Sequence, residues 1–321
     1  MSGRAGEKHV WTWPIAGYLF LGGLGAGMTL VAAVADLVFG LGSVMAASVA
    51  GSLVALGLGS FLLVFELGRP LAFWRVFSAQ KAVLTFGAWM VSVLIVVDAL
   101  YFSFLSGWFP WSGASGAQGA VAVIGSLLGC GVLVYTGVEL ASMRARVFWN
   151  TPALPVLFVF SGLLTGAGGD FLLVLVWTGS GIGTTGWAAL GGLALAMMLF
   201  AAVTLFTVLL YVLMMLTSAG TEANTVARRW LVGRYALYFW VGVIGVGLLV
   251  PLVLLGVGIS AQQASGGVLP MAVASALVMV QGVFLRFLVV YSDDRKMLAG
   301  ELRRRERRPS GTELFLRAHK G

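Results

Sequence analysis

Residues 13–34 read WPIAGYLFLGGLGAGMTLVAAV, a run without a single charged side chain. A helix needs about 20 apolar residues to cross roughly 30 Å of hydrocarbon, so this run is long enough to span a bilayer. Further apolar runs of similar length follow it along the chain. Because backbone polar groups must be paired inside lipid, such runs predict transmembrane α-helices.

The overall composition leads to the same fold class. Hydrophobic residues make up 60% of the 321 residues and charged residues 10%, whereas a soluble domain carries roughly 25% charged residues. We therefore predict an all-α, polytopic membrane protein with about eight transmembrane helices. The apolar runs place these helices at about 13–39, 43–66, 82–104, 118–142, 152–177, 186–216, 236–258 and 270–291.

The basic residues are distributed unevenly between the two sides of the membrane. All but one of the 20 Lys and Arg residues lie before helix 1, in loops 2–3, 4–5 and 6–7, or after helix 8. The positive-inside rule then predicts a multi-pass protein of the cytoplasmic membrane with both termini inside. Residues 1–12 form a cytoplasmic N-terminus, 13–291 the membrane domain, and 292–321 a basic cytoplasmic tail. A docked partner subunit is the alternative explanation for a charged face.

The scarcity of cysteine and histidine excludes several cofactors. The single cysteine, Cys130, rules out intrachain disulfides and cysteine-ligated iron–sulfur clusters. The two histidines, His9 and His319, lie near the ends of the chain and outside the apolar runs. A haem held by two histidines between membrane helices is therefore disfavoured, and no metal site is expected.

Charged residues inside the predicted helices are candidates for proton transfer, because charge within the membrane is costly and usually functional. The functional interpretation is a chain of protonatable groups that crosses the bilayer. The alternative is that the terminal acids reach water and that the one basic residue pairs with an acid to fix helix packing. The residues of the predicted path are Asp36, Glu66, Asp98, Asp170 and Arg286.

Tyr135 and Glu139 are four residues apart, so they share one face of helix 4. They lie near the end of this helix that leads into the basic loop 4–5. Tyr18 is predicted at a similar depth on helix 1. A phenol and a carboxyl group facing an apolar cleft suit a quinol head group, since one donates a hydrogen bond and the other accepts a proton. The alternative interpretation is an interfacial tyrosine of the aromatic belt. In helix 1, Gly23 and Gly27 form a GxxxG pair that predicts a closely approaching helix.

Four segments carry a family resemblance. They are WPIAGYLFLGGL (13–24), ELGRPLAFWR (66–75), YTG (135–137) continuing to RARVFWNTP (144–152), and FSGLLTG (160–166). Together they resemble the NrfD family, the membrane subunits of polysulfide reductase-like molybdoenzyme complexes. The resemblance implies eight helices in two four-helix bundles without haem.

The same resemblance implies a function. Such subunits exchange electrons between menaquinone or ubiquinone and a four-cluster [4Fe–4S] ferredoxin-like subunit, which connects to a molybdopterin (Mo/W) catalytic subunit. The positions that match the family's quinone site are Tyr18 and Tyr135, although some members carry histidine near the position of Tyr18. The expected docking rim for the partner consists of Arg69, Arg75, Arg144, Arg146 and Trp149.

Three function classes follow from these observations, of which the third is a structural anchor without a redox role. The first is a quinone-reactive anchor subunit of an oxidoreductase complex, with Glu139 beside the two tyrosines and redox turnover coupled to proton translocation. The second is a proton-coupled secondary transporter that uses the buried acids as coupling sites. Broken helices in two matching halves would favour the transporter, and Gly166–Gly169 is a candidate break in helix 5.

Overall fold

The structure is a computed structural model and describes residues 13–66, 83–142, 148–179, 183–218, 222–261 and 267–292. Within these ranges eight helices are long and apolar enough to cross a membrane, which confirms the predicted fold class. The helices are α1 (Trp13–Phe39), α2 (Gly42–Glu66), α3 (Val83–Leu105), α4 (Ser115–Ala141), α5 (Ala153–Thr178), α6 (Thr184–Thr217), the short α7 (Glu222–Leu231), α8 (Tyr238–Ser260) and α9 (Val268–Tyr291).

The eight long helices form two bundles of four. Helices α1 to α4 contact one another in a ring, and α5, α6, α8 and α9 form a second ring in the same order. The bundles meet mainly where α1 lies against α5, with smaller contacts of α2 and α4 on α5 and of α9 on α1. This arrangement confirms the two four-helix bundles that the family resemblance implies.

Glycines allow the two bundles to approach each other closely. A Cβ atom added to Gly27 of α1 would stand 2.9 Å from the carbonyl carbon of Gly162 and 3.3 Å from the Cα of Gly166, both on α5. Gly162 and Gly166 repeat the four-residue spacing of Gly23 and Gly27, so each helix presents two glycines to the other. The interpretation of GxxxG as a helix-contact motif is confirmed.

The candidate break in helix 5 is absent. Helix α5 runs without interruption from Ala153 to Thr178, through Gly166–Gly169. A Cβ on Gly168 would meet a side-chain carbon of Val278 at 2.7 Å, and one on Gly169 would meet Sδ of Met28 at 3.1 Å. These glycines therefore serve close contacts with α9 and α1. The feature that would have favoured a transporter is not found at this position.

Two features of the second bundle were not predicted. Between α6 and α8 lies the amphipathic helix α7, which buries Ala223, Val226, Ala227 and Trp230 and exposes Arg228. The indole N–H of Trp230 donates to the hydroxyl of Ser292, so α7 is tied to the end of α9. The first half of α8, Tyr238–Leu249, has the wider π-helical winding and returns to α-helix at Val250. Such irregular turns are frequent near functional sites.

We expect Gly27→Ala to destabilise the protein by about 1–3 kcal/mol, because the added methyl group has no space against α5. Gly192→Ala is the matched control, since no atom lies within 4 Å of a Cβ at that position of α6. Thermal unfolding in detergent should show a lower Tm for Gly27→Ala alone. Equal Tm values for the two variants would contradict a tight α1–α5 contact.

Candidate functional site

The predicted quinone-site residues come together at one end of the first bundle. This end lies on the side of the membrane that carries the basic loops, here called the basic side. Tyr18 of α1 and Tyr135 of α4 are close enough to interact electrostatically with each other and with Glu139, one turn further along α4. Their side chains are 3%, 4% and 7% exposed, respectively. The phenols and the carboxyl group thus share a buried niche and do not form an exposed aromatic belt.

The three side chains of the niche lie within hydrogen-bonding reach of one another, but not all of their polar atoms make a well-aligned hydrogen bond. Among the described residues, neither the hydroxyl of Tyr135 nor Oε2 of Glu139 has a hydrogen-bond partner of good geometry. Leaving a buried polar atom unpaired costs about 1–3 kcal/mol. One hydroxyl and one carboxyl oxygen side by side can donate to and accept from a bound polar ring.

Gly87 of α3 makes room for the Tyr135 ring. A Cβ atom at Gly87 would overlap Cζ, Cε1 and the hydroxyl of Tyr135. The phenol therefore occupies the space that any larger residue at position 87 would need. Helices α1, α3 and α4 together fix the position of the Tyr135 hydroxyl.

An apolar layer separates this niche from the acids deeper in the first bundle. It consists of buried residues from α1 to α4, namely Ala26, Leu56, Val91, Leu94, Val132 and Leu133. On α3, Gly87 and Asp98 are eleven residues apart, which is about 16 Å of helical rise. The described side chains do not form a continuous polar route across this layer.

Asp98 lies fully buried beyond the layer. Its Oδ2 atom is 2.7 Å from the hydroxyl of Thr29 on α1 and 2.7 Å from that of Ser52 on α2, and both donate to it. Its Oδ1 atom has no partner among the described residues. Two donors from separate helices lower the cost of burying this acid, while the free oxygen leaves one position open for a proton or a water.

Asp36 lies further along α1, near the opposite end of the bundle. Tyr101 of α3 donates to its Oδ2 at 2.8 Å, and Nε2 of Gln118 on α4 donates to both carboxylate oxygens at 3.0 and 2.8 Å. Tyr101 is one turn from Asp98 on α3, so it stands between the two acids. Asp36 and Asp98 therefore belong to one polar region.

Asp170 is a separate, fully buried acid on α5. Neither of its carboxyl oxygens has a hydrogen-bond partner among the described residues. Its polar neighbour is Ser48 of α2, whose hydroxyl donates to Sδ of Met45 at 3.8 Å. Ser48 and Ser52 are four residues apart on α2 and hence face the same way. On α2, Ser52 thus lies next to Asp98 and Ser48 next to Asp170, so the two serines connect the acids across the boundary between the bundles.

Arg286 of α9 is fully buried where α9 meets α1 and α5. Its Nη1 donates to the hydroxyl of Ser161, and its guanidinium lies 5.1 Å from the centroid of the Phe158 ring. Nε and Nη2 have no partner among the described residues, so the predicted pairing with an acid is not found there. A guanidinium keeps its protons. Arg286 therefore supplies a fixed positive charge, and its place on the proton path stays a prediction.

The predicted docking residues are only partly described. Arg69, Arg75, Arg144, Arg146 and the side chain of Glu66 lie outside the described residues. Trp149 is fully buried, and its indole N–H donates to the carbonyl of Val289 on α9 at 3.1 Å. Its assignment to a docking rim was wrong, because its side chain is committed to the contact between α9 and the loop that precedes α5.

Several polar neighbours of the acids were missed in the sequence. They are Thr29, Ser48, Ser52, Tyr101 and Gln118. The four-residue spacing of Ser48 and Ser52 is a signal that was present, since it places two hydroxyls on one face of a predicted membrane helix. The role of Gly87 had no signal, because only the fold brings α3 against Tyr135.

Comparison with known proteins agrees with this architecture. The family profile described as "Polysulphide reductase, NrfD" matches residues 3–293. The C subunit of the polysulfide reductase of Wolinella succinogenes is 33% identical over 307 residues, which cover 88% of this protein and 94% of that subunit. Protein NrfD of Escherichia coli is 27% identical over 319 residues, covering 89% and 95% of the two proteins. The NrfD homolog of Haemophilus influenzae is 26% identical over 269 residues, covering 76% and 82%.

The match extends over the whole described membrane domain, from α1 to the end of α9. It therefore includes both bundles, the niche of Tyr18, Tyr135 and Glu139, and the buried acids. The chain belongs to the NrfD family and is a multi-pass membrane subunit of an oxidoreductase complex.

Proposed function

We propose that this protein is a haem-free, quinone-reactive anchor subunit. It exchanges electrons between membrane quinone and a four-cluster [4Fe–4S] ferredoxin-like subunit. That subunit in turn exchanges electrons with a molybdopterin (Mo/W) catalytic subunit. The observation that carries the proposal is the buried niche that brings two phenols and a carboxyl group together, in which the Tyr135 hydroxyl and Oε2 of Glu139 lack a well-aligned hydrogen bond among the described residues. Membership of a family of oxidoreductase membrane subunits supports it.

The niche fits a quinone head group in its donor and acceptor set. When bound, a quinone supplies two-electron, two-proton redox chemistry. The Tyr135 hydroxyl would donate to a ring oxygen, and the carboxyl group of Glu139 would take or return a proton at the same edge. Tyr18 contributes a second buried phenol to the niche from α1. Because the three side chains are buried, water is excluded from the hydrogen bonds that they would make.

The partner is proposed to dock on the basic side, where the niche lies closest to the surface. Tyr18 is five residues from the first residue of α1, about 8 Å of helical rise. Arg69, Arg75, Arg144 and Arg146 belong to the loops of this side and would attract an acidic partner surface. By the positive-inside rule we place this side, the residues 1–12 and the tail 292–321 in the cytoplasm.

Proton movement is proposed to involve the acids beyond the apolar layer. Hydroxyl groups of α1, α2 and α3 lie next to these acids, which are Asp36, Asp98 and Asp170. The hydroxyls would provide binding sites for protons and ordered waters. The apolar layer keeps these acids separate from the niche at rest. Coupled transfer therefore requires water to enter the layer during turnover, a step that a purely polar channel would not need.

Tyr135→Phe and Glu139→Gln should each lower quinol-dependent electron transfer by the intact complex about 10- to 100-fold, because each removes one hydrogen-bonding or proton-accepting group. Tyr211→Phe is the control: it removes a buried tyrosine hydroxyl that donates to the carbonyl of Phe148 at 2.7 Å, in the second bundle. Steady-state quinol oxidation with each variant assembled in its complex is the measurement. Full activity of both niche variants would contradict the assignment.

Gly87→Ala should reduce quinol oxidation about tenfold or more by displacing the Tyr135 ring, although position 87 itself carries no chemistry. The matched control is Gly57→Ala on α2, where a Cβ meets no atom within 4 Å. Turnover and Tm are measured together for both variants. A Gly87→Ala protein with a normal Tm and normal turnover would show that the position of the phenol is not important for the reaction.

Asp98→Asn and Asp170→Asn should abolish proton release on the side opposite to the basic loops while leaving much of the quinol oxidation intact. The change removes the titrating group but keeps its size and a hydrogen-bonding oxygen. Proteoliposomes with a trapped pH dye, driven by quinol oxidation, provide the readout. Unchanged release in both variants would remove these acids from the proposed proton path.

A further inference from the structure

The four helices of the first bundle converge on one carboxyl group at the end opposite to the basic side, here called the outer end. This group belongs to Asp36, three residues before the last residue of α1. Tyr101 of α3 donates to its Oδ2 at 2.8 Å, and Nε2 of Gln118 on α4 donates to both carboxylate oxygens. Gly42, the first residue of α2, leaves room for the carboxylate, because a Cβ atom there would overlap Oδ1 of Asp36. Each of the other three helices therefore contributes one neighbour to this group.

Asp36 differs from the two deeper acids in its access to water. Asp98 and Asp170 are fully buried, whereas Asp36 is partly exposed and lies about 5 Å of helical rise from the end of α1. Asp98 is held by Thr29, which is seven residues before Asp36 on α1 and hence about 10 Å further from the outer end. A proton on Asp98 therefore needs a carrier to reach the outer water, and Asp36 is the acid nearest to that water.

Helices α1 and α4 offer no polar side chain between the two acids of the first bundle. Residues 30–35 of α1 and 119–125 of α4 are all apolar or glycine. Gly125 lies beside Asp98, since a Cβ atom there would be 4.0 Å from Oδ1 of the acid. Gln118 is seven residues away on the same face of α4. The polar groups on these two helices therefore form two separate layers about 10 Å apart.

Tyr101 of α3 lies between these layers. It is fully buried and three residues from Asp98, so the two side chains share a face of α3. Its hydroxyl donates to Asp36, and it is close enough to both carboxyl groups to interact electrostatically with them. A phenol can donate one hydrogen bond and accept another. Oδ1 of Asp98 has no partner among the described residues, so an ordered water can join it to the phenol.

We propose that Tyr101 relays protons from Asp98 to Asp36, and that Asp36 releases them at the outer end. This role depends on the quinone-linked proton movement proposed above. In each transfer the Tyr101 hydroxyl gives its proton to the Asp36 carboxylate, while the phenolic oxygen takes a proton that Asp98 releases through a water. One O–H bond of the phenol breaks and one forms, so its charge does not change and no electron is transferred. Gln118 is a positioning residue, because it holds the carboxylate of Asp36 in place beside Tyr101.

The test uses the intact complex in proteoliposomes and measures the number of protons released at the outer end per quinol oxidised. Tyr101→Phe should lower this ratio about tenfold, because the ring stays and the proton-carrying group is lost. Quinol oxidation in the presence of an uncoupler should stay close to the wild-type rate. Tyr211→Phe is the matched control with an unchanged ratio, since it removes a buried tyrosine hydroxyl from the second bundle.

A second variant changes the position of Asp36 without removing any proton-carrying group. Gly42→Ala places a methyl group where the Asp36 carboxylate lies and should also lower the ratio. Gly116→Ala is its control, because a Cβ meets no atom within 4 Å at that position near the start of α4. The Gly42→Ala result decides the question if the Tyr101→Phe protein does not assemble into its complex.

The outcomes separate this role from the proposed function. An unchanged ratio in Tyr101→Phe with intact quinol oxidation would overturn the relay alone, and an unchanged ratio in an assembled Gly42→Ala complex would do the same. A fall of uncoupled quinol oxidation in proportion to proton release would indicate a structural clamp and would also overturn it. A wild-type complex that oxidises no quinol would overturn the relay and the proposed function together.

Discussion

A polar side chain within the hydrocarbon region is costly unless a neighbouring helix supplies a partner, and this constraint determines how the buried groups of the protein are arranged. Thr29 and Ser52 supply hydrogen bonds to Asp98 from two different helices. Tyr101 and Gln118 do the same for Asp36. Tyr135, Glu139 and Asp170 lack a well-aligned partner among the described residues, although Tyr135 lies beside Glu139 and Asp170 beside Ser48.

The glycine contact between α1 and α5 organises the molecule around these groups. It brings the two bundles close enough for the Arg286 guanidinium to reach the backbone of α1, where a Cβ on Gly23 would stand 2.9 Å from Nη2. The fixed charge lies at the boundary, whereas the acids and the niche lie mainly in the first bundle. The second bundle contributes the amphipathic helix and the irregular α8.

Much of the fold followed from the sequence, because helix length and apolar composition are local properties. Every long helix appears within a few residues of its predicted bounds, and the niche residues Tyr135 and Glu139 follow from four-residue spacing alone. Contacts between distant helices were harder to foresee. Gly87 gave no sign that it accommodates Tyr135, and Trp149 was assigned to a surface although it is buried against α9. Arg286 was expected to find an acid and instead contacts a serine and an aromatic ring.

The most direct test of the central claim is photolabelling of the purified complex with an azido-quinone, followed by mass-spectrometric mapping of the modified peptides. A quinone bound in the niche should label the segments of α1, α3 and α4 that contain Tyr18, Gly87 and Tyr135, and excess unlabelled quinone should suppress this labelling. Labelling confined to α8 and α9, with none on α1, α3 or α4, would place the quinone elsewhere and contradict the account.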